Sequence, residues 1–417
     1  MKIALQTWGS NGDIRPFMAL ASGLKQAGHE VTLVVSSLDN RSYLETCKTL
    51  CIEYLQIPQH IDFDMQDFAQ RTFRMNTLQW LIELLNISLF PYEDEIYQAS
   101  KTLAETHDIL IGHHFLYPLK IAALKYNKPY ITVTFCHAAI PTKTTAPFRF
   151  PNLGKFLNRF QWRILNELFD WVLKKRLSRL WFQENLPPFK HVFETMLTSD
   201  SLNLVAVDEF LCANRDEWQP VNQLCGFLNL PESAEDWQPS PALQAFLQAG
   251  DKPVYMTFGS IQQAVPDWSM ELFIEAARLS GCRAIIQTSS VKYPVETQQG
   301  DCFFIGRHPH QPLFKQCAAV VHHGGAGTTH ASTLSGCPSI VIPFMDEQLF
   351  WACQLEKAGV APKPLPARKA TAEALAERIK TVLNTPSMTE KAQHAKHCIS
   401  PTQGVLNAVA MIENVFK

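Results

Sequence analysis

Short apolar segments alternate with amphipathic ones from the first residues onward. The segments KIALQT (2–7) and VTLVV (31–35) are typical of buried strands. Between them Phe17, Leu20 and Leu24 recur at helical spacing. This strand, helix, strand order predicts a parallel sheet covered by helices.

The alternation continues and then starts a second time after a polar, proline-bearing segment. The apolar segments DILIG (108–112), YITVTF (130–135) and LNLVAV (203–207) extend the first series. A second series runs from PVYMTF (253–258) to SIVIP (339–343). We therefore expect two Rossmann-like, doubly wound α/β domains, facing each other across a cleft where ligands usually bind.

The predicted domain boundaries follow the change in composition between the two series. The polar stretch between Asn214 and Pro241 is typical of a linker over the surface. The predicted organisation is an N-terminal domain over 1–215, a linker over 216–240, a C-terminal domain over 241–400, and a final helix over 401–417 that packs back toward the first domain.

The stretch from about 143 to 196 fits neither series and is rich in aromatic and basic residues. Trp162, Leu165 and Phe169 sit there at helical spacing. A helical insertion packed on the first domain is the more common structure for such a pattern. An amphipathic surface that receives an apolar acceptor or rests on a membrane is the alternative, and both stay open here.

Composition favours a protein of the cell interior that binds small molecules. The 417 residues carry a formal net charge of -2 without a long basic run, so a nucleic-acid partner is not expected. The 11 cysteines form no CxxC pair, which argues against a disulfide framework and a zinc ribbon and favours the cytoplasm. The chain shows neither a secretory leader nor an apolar run of about 20 residues.

The run VVHHGGAGTTHASTLSGCPSIVIP (320–343) is the strongest candidate for chemistry. His322 and His323 close a strand, Gly325 and Gly327 keep side chains away, and Thr328 falls in the first turn of a helix. Backbone N–H groups at a helix start bind phosphate oxygens, and a diphosphate fits this motif. An ordinary glycine turn with a core histidine explains it equally well when it is considered alone.

Two further motifs of the second domain suit a sugar phosphate. Asp346, Glu347 and Gln348 follow the next strand and offer groups for sugar hydroxyls, although Asp346 is also a good helix N-cap. The FGS turn at 258–260 follows a strand and would let backbone amides approach an anion, but such turns are common.

In the first domain, GSNGD (9–13) places Asp13 directly after the first strand. A carboxylate at this sheet edge can accept a proton from an attacking hydroxyl, and capping of the next helix is the alternative. The acidic triplet DFD (62–64) is similar to a metal-binding pair, but such triplets are common by chance. The segment HHF (113–115) has no carboxylate or cysteine at a helpful spacing, so a histidine pair at a strand end is expected there and no metal site is predicted.

Taken together, GSNGD, FGS, HHGGAGTT and PFMDEQLFW in this order resemble the family 1 glycosyltransferases of the GT-B fold. The resemblance covers nearly the whole chain and is greatest to the bacterial antibiotic and rhamnosyl branch and to the sterol glucosyltransferases. It implies an inverting, metal-independent transfer of a hexose from a UDP- or dTDP-sugar to a hydroxyl of a lipophilic acceptor, with no other cofactor.

The resemblance also implies a role for individual positions. Asp13 matches the general base, and Ser10 and His137 lie on the acceptor side. The positions that match donor contacts are Ser260, His323, Gly325, Gly327 and Thr328 for the diphosphate, Pro309 and His310 near the base, and Asp346, Glu347 and Gln348 for the hexose.

The chain departs from the family pattern at two positions. Asp346 and Glu347 stand in a segment that often contains Gly-Asp in relatives, and Asn11 stands where an Arg is frequent.

Two other classes of protein remain as alternatives. One is a nucleotide-sugar epimerase or hydrolase, which would need no acceptor, and the other is a relative that binds ligands without catalysis.

Overall fold

The protein is described here by a computed structural model. The described residues are 1–72, 75, 77–147, 150–212, 215–230, 237–288 and 290–416, and the side chains of Ala69, Thr77, Ala139, Ser260, Gln263 and Ala264 lie outside the description. The chain divides into two compact units. The first contains residues 1–63, 81–230 and 401–417, and the second contains residues 64–80 and 231–400.

The first unit is built on a seven-stranded parallel sheet in the order β3-β2-β1-β4-β5-β6-β7. Its central strands are buried along nearly their whole length, which explains their continuous apolar sequence. The strands are β1 (Lys2–Gly9), β2 (Glu30–Ser37), β3 (Glu53–Gln56), β4 (Ile109–His113), β5 (Tyr130–Thr134), β6 (Leu202–Val205) and β7 (Asn222–Leu224).

Helices connect these strands, and most of them cover the sheet, whereas the helix over residues 65–72 groups with the second unit. Phe17, Leu20 and Leu24 of the first helix are fully buried, as their spacing predicted. The helices up to residue 196 are α1 (Asn11–Gln26), α2 (Leu44–Thr49), α3 (Met65–Thr72), α4 (Thr77–Ser88), α5 (Glu93–Thr106), α6 (Tyr117–Lys125), α7 (Lys155–Gln183) and α8 (Val192–Met196).

The second unit has a six-stranded sheet in the order β10-β11-β9-β8-β12-β13, parallel except for the β10–β11 pair. Its strands are β8 (Val254–Met256), β9 (Ala284–Gln287), β10 (Thr297–Gln299), β11 (Cys302–Ile305), β12 (Ala319–His322) and β13 (Ser339–Val341). The remaining helices are α9 (Pro241–Gln248), α10 (Pro266–Ser280), α11 (His310–Phe314), α12 (Ala326–Ser335), α13 (Asp346–Lys357), α14 (Ala372–Leu383), α15 (Pro386–Cys398) and α16 (Gln403–Phe416).

Two parallel-sheet units confirm the predicted α/β fold class, but the boundaries differ from those predicted. Strand β7 lies inside the predicted linker and pairs with β6, so the first sheet extends to residue 224. Residues 64–80, predicted as part of the N-terminal domain, group with the second unit. Neither feature has a local signal, because a three-residue edge strand carries little periodicity and the grouping of residues 64–80 depends on contacts with distant segments.

The last helix, α16, belongs to the first unit although it follows the second in sequence. Asn407 of this helix donates a hydrogen bond to the carbonyl oxygen of Cys225 at 3.0 Å. His29, which follows α1, lies 3.1 Å from the carboxylate of Glu413. These contacts fix α16 in the first unit, where Ala408 and Ile412 are part of the core.

The predicted insertion contains one long helix, α7, of 29 residues. Its inner face is tied to the first unit by Arg176 and Arg179, which both bind the fully buried carboxylate of Glu93. Trp162 is buried and donates to the carbonyl oxygen of Thr145 at 2.9 Å. Within the described part of the chain, no helix is long and apolar enough to cross a membrane.

Candidate active site

The turn between β1 and α1 folds the carboxylate of Asp13 back over the backbone. Ser10 donates to Asp13 Oδ2 from its backbone N–H at 2.8 Å and from its hydroxyl at 3.2 Å. A Cβ atom on Gly9, whose φ is +139°, would lie 2.3 Å from the same oxygen. The glycine is therefore required, since any side chain there would displace the carboxylate.

Asp13 has the properties of a general base. Burial raises the pKa of its carboxyl from 3.8 to about 6, although the hydrogen bonds from Ser10 oppose the shift. About 35% of the side chain nevertheless remains exposed, so a ligand can reach the carboxylate. A carboxyl group with a pKa just below neutrality is ionised at pH 7 and accepts a proton more readily than an ordinary aspartate.

His113 lies beside Asp13 at the end of the neighbouring strand β4. Its Nε2 is 3.8 Å from Asp13 Oδ1. Burial lowers the pKa of His113 well below its usual value, so the ring is neutral. Because the backbone N–H of Phe115 donates to Nδ1 at 3.3 Å, the single ring proton resides on Nε2 and faces the carboxylate.

The ring of His113 is held in a wall of aromatic side chains. Its centroid lies 5.7 Å from that of Phe135, 6.2 Å from that of Trp8 and 6.4 Å from that of Phe17. The side chain is 4% exposed, and this packing limits its rotation. A fixed N–H group therefore faces the carboxylate of Asp13 at 3.8 Å, without a direct hydrogen bond.

The sequence interpretation missed the proximity of His113 to Asp13, because it treated the HHF motif as a histidine pair at a strand end without a role in the site. A signal was available: β1 and β4 are predicted parallel strands, and the carboxyl ends of adjacent parallel strands meet at one sheet edge.

His137, which was predicted with Ser10 on the acceptor side, lies in a 3₁₀ turn after β5. Its ring centroid is 6.2 Å from that of Trp218.

The turn between β12 and α12 is the corresponding element of the second unit. Gly325 is the N-cap of α12 and has no side chain to satisfy the amides of the first turn. A Cβ atom on Gly325 would lie 2.4 Å from Nε2 of His323, so the imidazole covers this glycine. Gly327, in the first turn, has open space where a side chain would be.

The two adjacent histidines of this turn have different environments. His322 ends β12, is fully buried, and accepts a hydrogen bond from the N–H of Gly324 at 3.1 Å. His323 is half-buried, and its Nδ1 has no hydrogen-bond partner among the described residues. Burial, together with His310, lowers the pKa of His323 to about 4. His323 therefore offers a neutral hydrogen bond and no positive charge.

The other predicted donor motifs of the second unit lie next to this turn. A Cβ atom on Gly259, in the FGS turn, would lie 3.3 Å from the ring of His323. A Cβ atom on Gly324 would lie 2.8 Å from the carbonyl oxygen of Gln348. Ser260 follows Gly259 in a 3₁₀ turn, and its side chain lies outside the described part of the chain. The structure thus places three sequence-predicted motifs around His323.

The helix α13 does not have Asp346 as its N-cap, which was one of the two roles that the sequence predicted for this residue. Met345 and not Asp346 is the N-cap, so the N-cap assignment of Asp346 is wrong by one position. Asp346 and Gln348 are buried, whereas Glu347 is exposed. Gln348 accepts a hydrogen bond from the N–H of Phe344 at 2.8 Å, which fixes its carboxamide.

The predicted nucleobase segment forms the start of α11, where Pro309 is the N-cap. The ring of His310 stacks on Phe314 at a centroid distance of 4.9 Å. Thr328 is buried in the first turn of α12. In the residues that the structure describes, no three His, Cys, Asp or Glu side chains converge as they do in metal sites.

Comparisons with known proteins identify relatives of this chain. Residues 295–402 match the family described as "Erythromycin biosynthesis protein CIII-like, C-terminal domain". The chain is 27% identical to the O-mycaminosyltylonolide 6-deoxyallosyltransferase of Streptomyces fradiae, over 99% of this chain and 97% of that protein. It is 25% identical to sterol 3-beta-glucosyltransferase UGT80A2 of Arabidopsis thaliana, over 98% of this chain but only 64% of the plant protein.

The fold is shared with a solved structure of the same class. The glycosyltransferase of kitacinnamycin superposes with a TM-score of 0.72 at 16% identity, covering 99% of this chain and 98% of the other. Fold and relatives together define the chain as a glycosyltransferase of the GT-B fold. The relatives and the fold support the predicted resemblance to the family 1 enzymes, in which the donor is a nucleotide sugar.

Proposed function

We propose that this enzyme transfers a hexose, with inversion, from a UDP- or dTDP-sugar to a hydroxyl group of a lipophilic small molecule. The observation that carries the proposal is the complementary chemistry of two turns. One ends in a partly exposed carboxylate whose pKa is raised to about 6. The other ends in a helix start that has no side-chain cap.

The proposed step is a direct displacement. Asp13 removes the proton from the acceptor hydroxyl while its oxygen attacks the anomeric carbon of the donor. The bond between that carbon and the diphosphate oxygen breaks, and the nucleoside diphosphate leaves with the bonding electrons. Attack opposite the leaving group inverts the anomeric configuration, and the proton stays on Asp13 until solvent removes it.

His113 is proposed as the positioning residue of this base. Oδ2 of Asp13 already accepts two hydrogen bonds from Ser10. Oδ1 faces the Nε2–H of His113 at 3.8 Å and is the oxygen that remains for the acceptor proton. A fixed N–H near Oδ1 favours the ionised carboxylate.

We propose that the first turn of α12 binds the leaving diphosphate and stabilises its negative charge. The N–H groups at a helix N-terminus carry partial positive charge and bind phosphate oxygens. His323 adds a neutral hydrogen bond, and Gly325, Gly327 and Thr328 let the diphosphate approach the backbone. These groups are sufficient in kind to stabilise the leaving group without a metal ion.

The remaining donor contacts are proposed for the segments around His323. Pro309 and His310 are assigned to the nucleobase, Ser260 to the diphosphate, and Asp346, Glu347 and Gln348 to the hexose hydroxyls. Gln348 is the best supported of these hexose contacts, because its carboxamide is held by the N–H of Phe344 and its backbone adjoins Gly324.

The acceptor is proposed to be bulky and lipophilic, such as a sterol, polyketide, phenol or lipid. The name of one relative specifies a tylonolide derivative and that of the other a sterol. Ser10 and His137 are the acceptor-side contacts that we propose in the first unit. The cysteines of the structure are all free, which supports a cytoplasmic enzyme. We propose that it is located at the inner face of a membrane.

An acceptor library incubated with UDP-glucose, UDP-galactose, UDP-N-acetylglucosamine or a dTDP-deoxysugar tests the proposal. A mass gain equal to one sugar residue identifies donor and acceptor together. Each donor is also incubated without an acceptor, where free sugar or an epimer would instead indicate a hydrolase or epimerase. An Asp13→Ala variant that transfers sugar as fast as the wild type would contradict the role of Asp13.

A further inference from the structure

The outer face of α7 carries an exposed apolar stripe that glycosyl transfer does not explain. We define this outer face by residues that recur every three or four positions along the helix, so that they align on one side. Its members are Phe156, Leu157, Phe160, Ile164, Leu168 and Trp171. Phe156 is 85% exposed, Trp171 is 82% exposed and Phe160 is 55% exposed.

Packing within the first unit does not account for this stripe. The opposite side of α7 is the one that packs, where Trp162, Leu173 and Leu177 are buried. Leaving large aromatic side chains in water is unfavourable, and a contiguous apolar patch of this kind usually marks an interaction surface. A further partner must therefore be sought for the outer face.

The charge of α7 indicates the chemistry of that partner. The helix contains seven basic residues and two acidic ones, so it carries a formal charge of +5 within a chain whose net charge is -2. Arg159 and Arg163 are exposed and flank the apolar stripe, and Lys175 is exposed in the following turn. Of the two acidic residues, Asp170 is paired with His191, so only Glu167 adds exposed negative charge.

We propose that the outer face of α7 is a docking surface for an anionic lipid membrane. An interfacial helix of this type lies parallel to the membrane, with its aromatic residues among the lipid headgroups and its basic residues near the phosphates. Lysine and arginine keep their charges at the headgroups while their aliphatic stems contact the apolar layer. The outer face of α7 offers both components.

A second copy of this chain fits the same surface less well. A twofold interface would bring identical surfaces together, so Arg159 and Arg163 would face the basic α7 of the other copy. Like charges brought together in an interface are unfavourable, whereas anionic phospholipids neutralise them. The inference does not depend on the proposed transfer reaction.

Vesicle sedimentation of the full chain tests the proposal. The probes are vesicles of phosphatidylcholine and vesicles of phosphatidylcholine with phosphatidylglycerol in a two-to-one ratio. We expect the protein to sediment with the anionic vesicles and to be released by salt. The triple variant Phe156→Ser, Phe160→Ser, Trp171→Ser should bind these vesicles at least tenfold more weakly.

A second pair of variants separates charge from apolar contact. Arg159→Gln with Arg163→Gln should weaken binding by roughly fivefold per residue, because each basic group near an anionic surface contributes about 1 kcal/mol. Arg368→Gln with Lys369→Gln removes two exposed basic residues of the second unit and should change nothing. Val291→Ser, at a side chain that is 96% exposed, is the control for loss of an apolar group.

Thermal unfolding and circular dichroism of the triple variant check that it is folded, which we expect because its changed side chains are on the surface. The proposal is overturned if the wild type stays in the supernatant with anionic vesicles, or if the triple variant binds them as well as the wild type does. A dimer in solution that the triple variant abolishes, without vesicle binding, would assign the outer face to self-association instead.

Discussion

The two strand-to-helix turns that carry the candidate chemistry have the same architecture but opposite electrostatics. In the first unit, the start of α1 is occupied by the protein's own carboxylate, because Asp13 accepts the N–H of Ser10. In the second unit, the start of α12 has Gly325 as its N-cap, and no side chain occupies the position. The first turn thus carries a built-in anion, and the second is suited to an external one.

Glycine makes both arrangements possible, for different reasons. At Gly9 a side chain would collide with the carboxylate of Asp13. At Gly325 it would collide with the imidazole of His323. The same strand-to-helix element therefore carries a fixed carboxylate in one unit and an uncapped helix start in the other, and a few residues make the difference.

The largest effect is expected from removing the anion of the first turn. Asn at position 13 keeps the shape of the side chain but has no basic oxygen, so the transfer rate should fall by about 10²- to 10⁴-fold. Nucleotide affinity should stay unchanged, because the second unit retains all its proposed contacts. Steady-state kinetics and calorimetry with UDP and dTDP measure the two quantities, and a parallel loss of both would contradict the division of roles.

The next largest effect is expected from His323→Ala. Removal of a hydrogen bond to a charged group costs about 1.5 to 3 kcal/mol, which corresponds to a loss of roughly 10- to 100-fold in nucleotide affinity. Because the neutral ring adds no charge, this loss should vary little between pH 6 and pH 8. Calorimetry at several pH values checks the prediction, and an affinity that rises steeply at lower pH would indicate a charged imidazole.

A smaller effect is expected from His113→Phe, which keeps an aromatic ring but removes the N–H that faces Asp13. The pKa of Asp13 should rise further, so the acidic limb of the pH–rate profile should move to higher pH. The rate at pH 7 should fall several-fold, because a smaller fraction of Asp13 is then ionised at that pH.

His113→Gln is the matched variant for this prediction, because its carboxamide retains an N–H donor. It should restore part of the rate and part of the original pH profile. If the Phe variant loses activity without any shift of the limb, His113 supports only the packing of β4.

The smallest effects are expected from Gly327→Ala, which should stabilise the fold but weaken nucleotide binding. The position is helical and open, so alanine should raise the free energy of unfolding by about 0.4 to 1 kcal/mol. The added methyl group should nevertheless weaken nucleotide binding several-fold, because it stands where the diphosphate would lie. Thermal unfolding and calorimetry measure both, and unchanged affinity would place the diphosphate elsewhere.

Much of the fold follows from local pattern, as the strands β1, β2, β4 and β12 illustrate. Their apolar sequences are continuous because both faces of a parallel sheet are covered. The short strand β7 and the grouping of residues 64–80 were not predictable, because they depend on pairing between distant segments.

The candidate site likewise combines residues that a local motif predicts with residues that only the fold brings together. His323 and Gly325 could be selected from one motif, since the glycines and the histidine are adjacent in sequence. The proximity of His113 to Asp13 could not be obtained from spacing alone, because 100 positions separate them and only the order of strands in the sheet brings them together.

The pH dependence of kcat/KM for sugar transfer, measured in the wild type and in Asp13→Asn, tests the role of Asp13 most directly. The raised pKa predicts that the wild-type rate is constant above pH 7, falls to half near pH 6, and then falls about tenfold per pH unit as Asp13 becomes protonated. The residual rate of the variant should lack this limb. A wild-type profile without a limb near pH 6, or the same limb in Asp13→Asn, would contradict the assignment of Asp13 as the base.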